Sequence, residues 1–258
     1  MKAFPTGAPC WFELATTDQD GAKTFYTELF GWDTKDSPMG PDAVYTMWKK
    51  GERDVGGGYK LMPDMLQQGI PPHWMVYFMT PNADECAAKV AALDGKVLQG
   101  PFDVMTHGRM AVCQDPTGAV FSIWQPNTHP GATAMGEDGT VCWSELMTRD
   151  AQSARRFYTD LFGWSTKGSA GMAEYIEFSA GGESRGGIMP MDEQFQGIPP
   201  HWGIYFMVND CDASVARAKE MGGVVRHGPF DAPGVGRIAI MADPQGAGFS
   251  LITLQIAA

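Results

Sequence analysis

The feature that most constrains this chain is that it repeats itself. Cys10-Trp11-Phe12-Glu13-Leu14 returns as Cys142-Trp143-Ser144-Glu145-Leu146, and Phe25-Tyr26-Thr27-Glu28-Leu29-Phe30-Gly31-Trp32 returns as Phe157-Tyr158-Thr159-Asp160-Leu161-Phe162-Gly163-Trp164, both at an offset of 132 (145 − 13). Gln68-Gly69-Ile70-Pro71-Pro72-His73-Trp74 returns unchanged as Gln196-Gly197-Ile198-Pro199-Pro200-His201-Trp202, now at an offset of 128 (201 − 73). The same offset holds for Gly100-Pro101-Phe102-Asp103 and for Asp115-Pro116-Thr117-Gly118, which matches Asp243-Pro244-Gln245-Gly246. Identical runs in one register require a duplication, so the chain must fold twice in the same way. Between the copies, small and turn-forming residues without an apolar period mark a linker. The expected organisation is domain 1 over 6–127, a linker over 128–137 and domain 2 over 138–256.

Within one copy, Trp11–Ala15 reads as a short strand, and Asp18 is a helix N-cap candidate. Ala22, Phe25, Leu29 and Phe30 fall at helical spacing, and Gly31 is placed to end the helix. Three strand-like stretches follow around Trp32–Lys35, Val44–Trp48 and Val55–Leu61. After the loop Gln68–Pro72 the order recurs: strand His73–Met79, helix Ala83–Leu93, then strands at Lys96–Leu98, Met110–Gln114 and Ala119–Trp124. The chain is therefore expected to be α+β, four βαβββ modules in two tandem domains.

Composition narrows the function classes. A net charge of -11 argues against a nucleic-acid partner, and no Lys/Arg run flanks an apolar helix as a membrane-surface segment would. The five Cys are scattered, with no Cys-x-x-Cys pair, and read as reduced thiols. No window is long and apolar enough to span a membrane, and Met1–Pro5 lacks a signal-peptide run, so a cytoplasmic monomer or homodimer is expected. Gly56-Gly57-Gly58 lacks the Lys-Ser/Thr ending of a phosphate loop and reads as a strand with close backbone approach. His107 and His129 have no counterpart in the other copy and read as surface residues.

The module order, with Thr17-Asp18 leading into Phe25-Tyr26 and Leu29-Phe30-Gly31-Trp32 and with Asp115-Pro116-Thr117-Gly118 opening a last strand, resembles the vicinal oxygen chelate superfamily: glyoxalase I, bleomycin-resistance proteins and extradiol dioxygenases. The likeness covers nearly the full chain and is closest to tandem glyoxalase-like proteins. It implies paired modules curving into half-open barrels with the active site inside. It also implies metal ligands at positions occupied here by Trp11, Met75 and Ser122, and by Trp143, Gly203 and Ser250. Trp and Met are unsuited to a hard divalent ion and Ser is a weak donor, so a divalent metal cofactor is possible only through other residues.

Strand alternation separates the side chains that pack under helices from those facing the interior. Phe12 and Leu14 belong to the first set; Trp11, Glu13 and Ala15 face inward, as do His73, Met75 and Tyr77. Arg109 and Ser122 are placed inside on later strands, and the second copy supplies Glu145, His201, Tyr205, Arg237 and Ser250. Glu13, His73, Glu145 and His201 are the catalytic or metal-binding candidates; Trp11, Met75, Tyr77, Arg109, Ser122, Trp143, Tyr205, Arg237 and Ser250 are the ligand-binding candidates. A structural alternative pairs Glu13 with Arg109 as an internal ion pair. Two functions are compatible with this set. One is a bleomycin-resistance-type protein that binds a small organic molecule in the cavity, for detoxification or resistance. The other is a glyoxalase-like lyase or isomerase acting on a small carbonyl compound, with a non-standard metal site or none.

Overall fold

In a computed structural model of the protein, residues 3–41, 43–168 and 174–255 are described. The first copy forms β1 (Pro9–Thr16), α1 (Gln19–Phe30), β2 (Asp33–Gly40), β3 (Ala43–Lys50), β4 (Arg53–Lys60), a short α2 (Pro63–Gln67), β5 (His73–Met79), α3 (Ala83–Ala92), β6 (Lys96–Val104), β7 (Gly108–Gln114) and β8 (Val120–Pro126). The second copy forms β9 (Thr140–Thr148), α4 (Ala151–Phe162), β10 (Ser165–Gly168), β11 (Ile176–Ala180), β12 (Glu183–Pro190), β13 (His201–Met207), α5 (Cys211–Glu220), β14 (Val224–Ala232), β15 (Gly236–Ala242) and β16 (Gly248–Leu254). Four βαβββ modules result, as the repeat requires.

The caps explain why the helices start and stop where they do. The Asp18 carboxylate accepts the Gly21 N–H at α1, and Gly31 closes the helix in the left-handed region at φ 69°. Asp150 and Gly163 (φ 74°) do the same for α4.

The strands form two eight-stranded sheets, in the orders β2-β3-β4-β1-β5-β8-β7-β6 and β10-β11-β12-β9-β13-β16-β15-β14. Strand β1 runs parallel to β4 with Glu13 opposite Gly57, and β9 parallel to β12 with Glu145 opposite Gly187.

By packing, the chain divides into two compact units. One gathers 75–131 and 143–203 with the chain up to Trp11; the other gathers 12–74 and 132–142 with the chain from Ile204 onward. Each unit has a buried tyrosine at its centre. In one, Tyr26 of α1 donates to Asp243 Oδ2 at 3.0 Å and accepts from Trp74 Nε1 at 3.0 Å. Trp32, Trp48, Phe206 and Phe249 surround it. In the other, Tyr158 of α4 donates to Asp115 Oδ2 at 2.9 Å and accepts from Trp202 Nε1 at 2.9 Å. Burial drives both phenols far above their ordinary range, with the neighbouring carboxylates adding to it. The helix motif of each copy is thus tied to the Asp-Pro-x-Gly turn of the other. All five cysteines are free thiols.

Candidate functional site

The two glutamates recurring in the repeat each meet a tyrosine. In the unit holding 12–74, Phe12 and Leu14 are buried and Glu13 projects from the other face of β1. Tyr45 of β3 donates its hydroxyl to Glu13 Oε2 at 2.7 Å. Gly57, opposite Glu13 in the ladder, makes room: a Cβ there would overlap the Tyr45 hydroxyl. The close approach read from the triple glycine therefore has a purpose, since it seats a phenol against a carboxylate. Tyr59, two residues along β4, is raised above the usual phenol range by burial and then by the charge of Glu13, so it stays protonated.

In the unit holding 143–203 the arrangement recurs and is extended. Tyr175 of β11 donates to Glu145 Oε1 at 2.8 Å while accepting from Trp143 Nε1 at 3.0 Å. A Cβ on Gly187 would overlap the Tyr175 hydroxyl. Glu145 is only 5% exposed. Burial, then the Glu145 charge, raises the Tyr175 phenol, which fixes the direction of the hydrogen bond: the phenol donates and the carboxylate accepts.

The histidines are held by their own loops. His73 lies 2.8 Å through Nδ1 from the carbonyl of Pro71, and His201 lies 2.9 Å from that of Pro199. A carbonyl can only accept, so Nδ1 of each ring carries a proton and donates toward it. Burial lowers the pKa of His73, so it is neutral at physiological pH.

Other candidates have their own places. Tyr77 of β5 pairs in register with Ser122 of β8 and directs its hydroxyl toward Met110 Sδ at 3.9 Å. Tyr205 pairs with Ser250. Both serines are buried. Met75 is half-buried, whereas a Cβ on Gly203 would meet only the Glu145 carbonyl oxygen, at 3.8 Å.

Three expectations are corrected. Arg109 and Arg237 do not project inward. Arg109 forks onto Asp84 at 2.8 and 2.9 Å and reaches Asp103 at 3.0 Å; Arg237 forks onto Asp212 at 2.6 and 3.0 Å and reaches Asp231 at 3.2 Å. Asp84 and Asp212 lie in the first turns of α3 and α5, so these arginines lie on the helix-bearing face. The reason is period two along the strand: Met110, the neighbour of Arg109, takes the opposite face beside Tyr77. The internal Glu13–Arg109 pair is replaced by Glu13–Tyr45. His129 is half-buried rather than exposed: its ring meets the edge of Trp11 at 4.5 Å, and Trp124 Nε1 donates to its carbonyl at 3.0 Å.

Tyr45, Tyr175, Gly187 and Tyr59 were missed as site residues. The tyrosine pair was legible at an intermediate offset of 130 (175 − 45), between the two offsets used to define the repeat. No repeat signal marks His129.

The positions where the superfamily implies metal ligands hold Trp11, Met75 and Ser122, and Trp143, Gly203 and Ser250. Among the described residues no group of three or more His, Cys, Asp or Glu converges. This donor set does not fit a divalent ion. Among the described residues no helix is long and apolar enough to cross a membrane.

The family model of the Glyoxalase/Bleomycin resistance protein/Dioxygenase superfamily matches residues 10–123 and again 140–251. The chain belongs to this superfamily. It is 41% identical over 249 residues to "Putative glyoxylase CFP32" of Mycobacterium bovis, covering 95% of this chain and 94% of that one. It is 37% identical over 271 residues to the anthracycline biosynthesis protein DauV of Streptomyces sp. strain C5, covering 99% and 96%. Its fold is similar to the Mn(II)-bound glyoxalase of Novosphingobium aromaticivorans, with a TM-score of 0.68 at 17% identity over 98% of this chain and 84% of that one. The 2,3-dioxygenase LapB of Pseudomonas sp. KL28 shares the fold at a TM-score of 0.65 and 14% identity over 97% and 94%. The tandem α+β superfamily fold expected from the repeat is the one observed.

Proposed function

We propose that this protein binds a small organic molecule bearing hydroxyl or carbonyl groups, with the Tyr45–Glu13 and Tyr175–Glu145 pairs as polar anchors. The observation that carries this reading is the repeated device itself. Each copy positions a protonated phenol against a carboxylate, over a glycine that leaves space for it, while the superfamily's metal positions carry no suitable donors. Polar groups fixed within a largely apolar wall orient a ligand with little cost of reorganisation. The half-buried Trp143 supplies flat apolar surface of the kind that ring systems stack on. The relative named for anthracycline biosynthesis suggests a polycyclic aromatic ligand, and detoxification or resistance is the role that fits simple sequestration.

A titration of intrinsic Trp fluorescence with hydroxylated anthraquinones and small α-oxoaldehydes tests this. Saturable quenching that weakens in Glu13→Gln and Glu145→Gln is expected. Saturable binding unchanged in both variants, or none at all, discards the proposal.

The second reading is a glyoxalase-like lyase or isomerase that works without a resident metal. It is favoured by the buried Glu145 beside a neutral phenol. The carboxylate would remove a proton next to a carbonyl, and the phenol's hydrogen bond would hold it in line. Turnover of an α-oxoaldehyde adduct, lost in Glu145→Gln with binding retained, separates this reading from binding alone.

A further inference from the structure

The two copies differ at one corner, and the difference leaves a cation without its acid. In the first copy, Lys23 of α1 contacts Asp36 Oδ2 of β2 at 2.6 Å, and the Thr46 hydroxyl of β3 donates to Asp36 Oδ1 at 2.7 Å. The Gln19 amide fills the space behind, donating to Thr46 Oγ1 at 2.8 Å. Burial opposes ionisation of Asp36, but the hydrogen bonds from Lys23 and Thr46 and the charge of Lys23 hold it below its ordinary carboxyl range.

Strand registers identify the same corner in the second copy. Asp36 lies opposite Thr46, and Gly168 lies opposite Ile176. The repeat offset places Ala151 at Gln19 and Arg155 at Lys23. Three polar side chains are therefore replaced by Ala151, Gly168 and Ile176, while the cation is kept as arginine. A cleft of about 280 Å³ opens there, lined by Gln152, Arg155, Thr166, Lys167, Gly168, Glu174, Tyr175 and Ile176; Glu174 is the one acid among these, and it forms no ion pair with Arg155. Arg155 Nε donates to Thr166 Oγ1 at 2.8 Å, and among the described residues the guanidinium has no carboxylate partner. Thr166 accepts from Arg155, so its own O–H remains a donor, much as Thr46 donates in the first copy.

We propose that this cleft between α4, β10 and β11 is a binding site for a small aliphatic carboxylate, whose acid group takes the place that Asp36 fills in the first copy. Arg155 supplies charge and a forked set of donors, Thr166 a hydroxyl, and Ile176 an apolar floor for the ligand's carbon chain. Residues alternate along β11, so Ile176 faces this cleft while Tyr175 is turned to Glu145. Tyr175 borders the cleft as well, but its hydroxyl is engaged by Glu145 and Trp143, so the cleft and the Tyr–Glu anchor are neighbours that offer different polar groups.

The test uses the full chain and succinate, with acetate as the smallest mimic of an Asp side chain, followed by calorimetric titration. Saturable binding with one site per chain is expected. Arg155→Gln should weaken it by roughly tenfold or more, the loss of one charged hydrogen bond. Gly168→Asp is the decisive variant, because a Cβ at Gly168 meets nothing within 4 Å and the new side chain would restore the first copy's internal acid. It should abolish succinate binding and leave the fold intact. No saturable binding of either acid to the unaltered protein overturns the proposal, and so does binding that persists unchanged in both variants.

Discussion

Gly187→Ala isolates the contact on which the candidate site depends. The added methyl would overlap the Tyr175 hydroxyl, the atom that donates to Glu145 at 2.8 Å and accepts from Trp143 at 3.0 Å. The phenol has to move, and a carboxylate only 5% exposed loses a donor. Losing a hydrogen bond to a charged group costs about 1.5–3 kcal/mol. Overpacking a tight site adds about 1–3 kcal/mol. The sum is about 2.5–6 kcal/mol, or roughly 5–24 °C in melting temperature for a chain of this size. Gly203→Ala is the internal control, because its Cβ meets nothing nearer than 3.8 Å and should shift the melt by no more than about 2 °C. Thermal unfolding followed by near-ultraviolet circular dichroism, sensitive to Trp143 and Tyr175, reads both. Tyr175→Phe removes the same hydrogen bond, so Gly187→Ala should cost less in that background than alone. If Gly187→Ala melts like the unaltered protein, or if the two substitutions add fully, the phenol is not held as described.

Further outcomes follow from other parts of the molecule. Tyr26→Phe strips Trp74 of an acceptor and Asp243 of a donor in a dry core, and should destabilise by about 2–4 kcal/mol, with Tyr158→Phe costing a similar amount; chemical denaturation measures both. His73 has a pKa below its ordinary value because of burial, so between the folded and unfolded pKa values the unfolded chain binds more protons than the folded one. Stability should therefore rise with pH through that window and fall as pH drops below the ordinary histidine range. His73→Asn should flatten that slope, and an NMR titration of the ring should give a midpoint below that of a free histidine. Protein incubated with Zn, Mn, Ni or Fe salts and freed of excess should retain well under one equivalent by elemental analysis; a full equivalent would contradict the donor argument.

Much of the fold was legible because the repeat marks the same elements twice and the caps at Asp18 and Gly31 bound the first helix directly. The positions of Glu13 and Glu145 could be read from alternation along one strand. Their partners are marked only as a recurring tyrosine, Tyr45 and Tyr175, and the recurrence does not say which side chain they reach. A tyrosine on β3 reaches a glutamate on β1 across β4, and nothing local in Val44-Tyr45-Thr46 announces it. Arg109 was misplaced for a related reason: which face a strand residue takes depends on where the strand enters its ladder, and one residue of error inverts the answer. His129 lies in the segment read as a linker, and what orders it is the aromatic surface of Trp11 and Trp124, far from it in kind if not in sequence.

The tyrosine locks bear on how such a chain can come to be made. Tyr26 is synthesised 217 residues before Asp243, and neither core is complete until both copies exist. A polypeptide with a single copy would have to borrow the missing aspartate from a second molecule, and its folding would then depend on concentration. Joining the copies makes that encounter intramolecular, at an effective concentration in the millimolar range. Each half produced alone should stay unfolded at low concentration, and co-expression of the separated halves should rescue both.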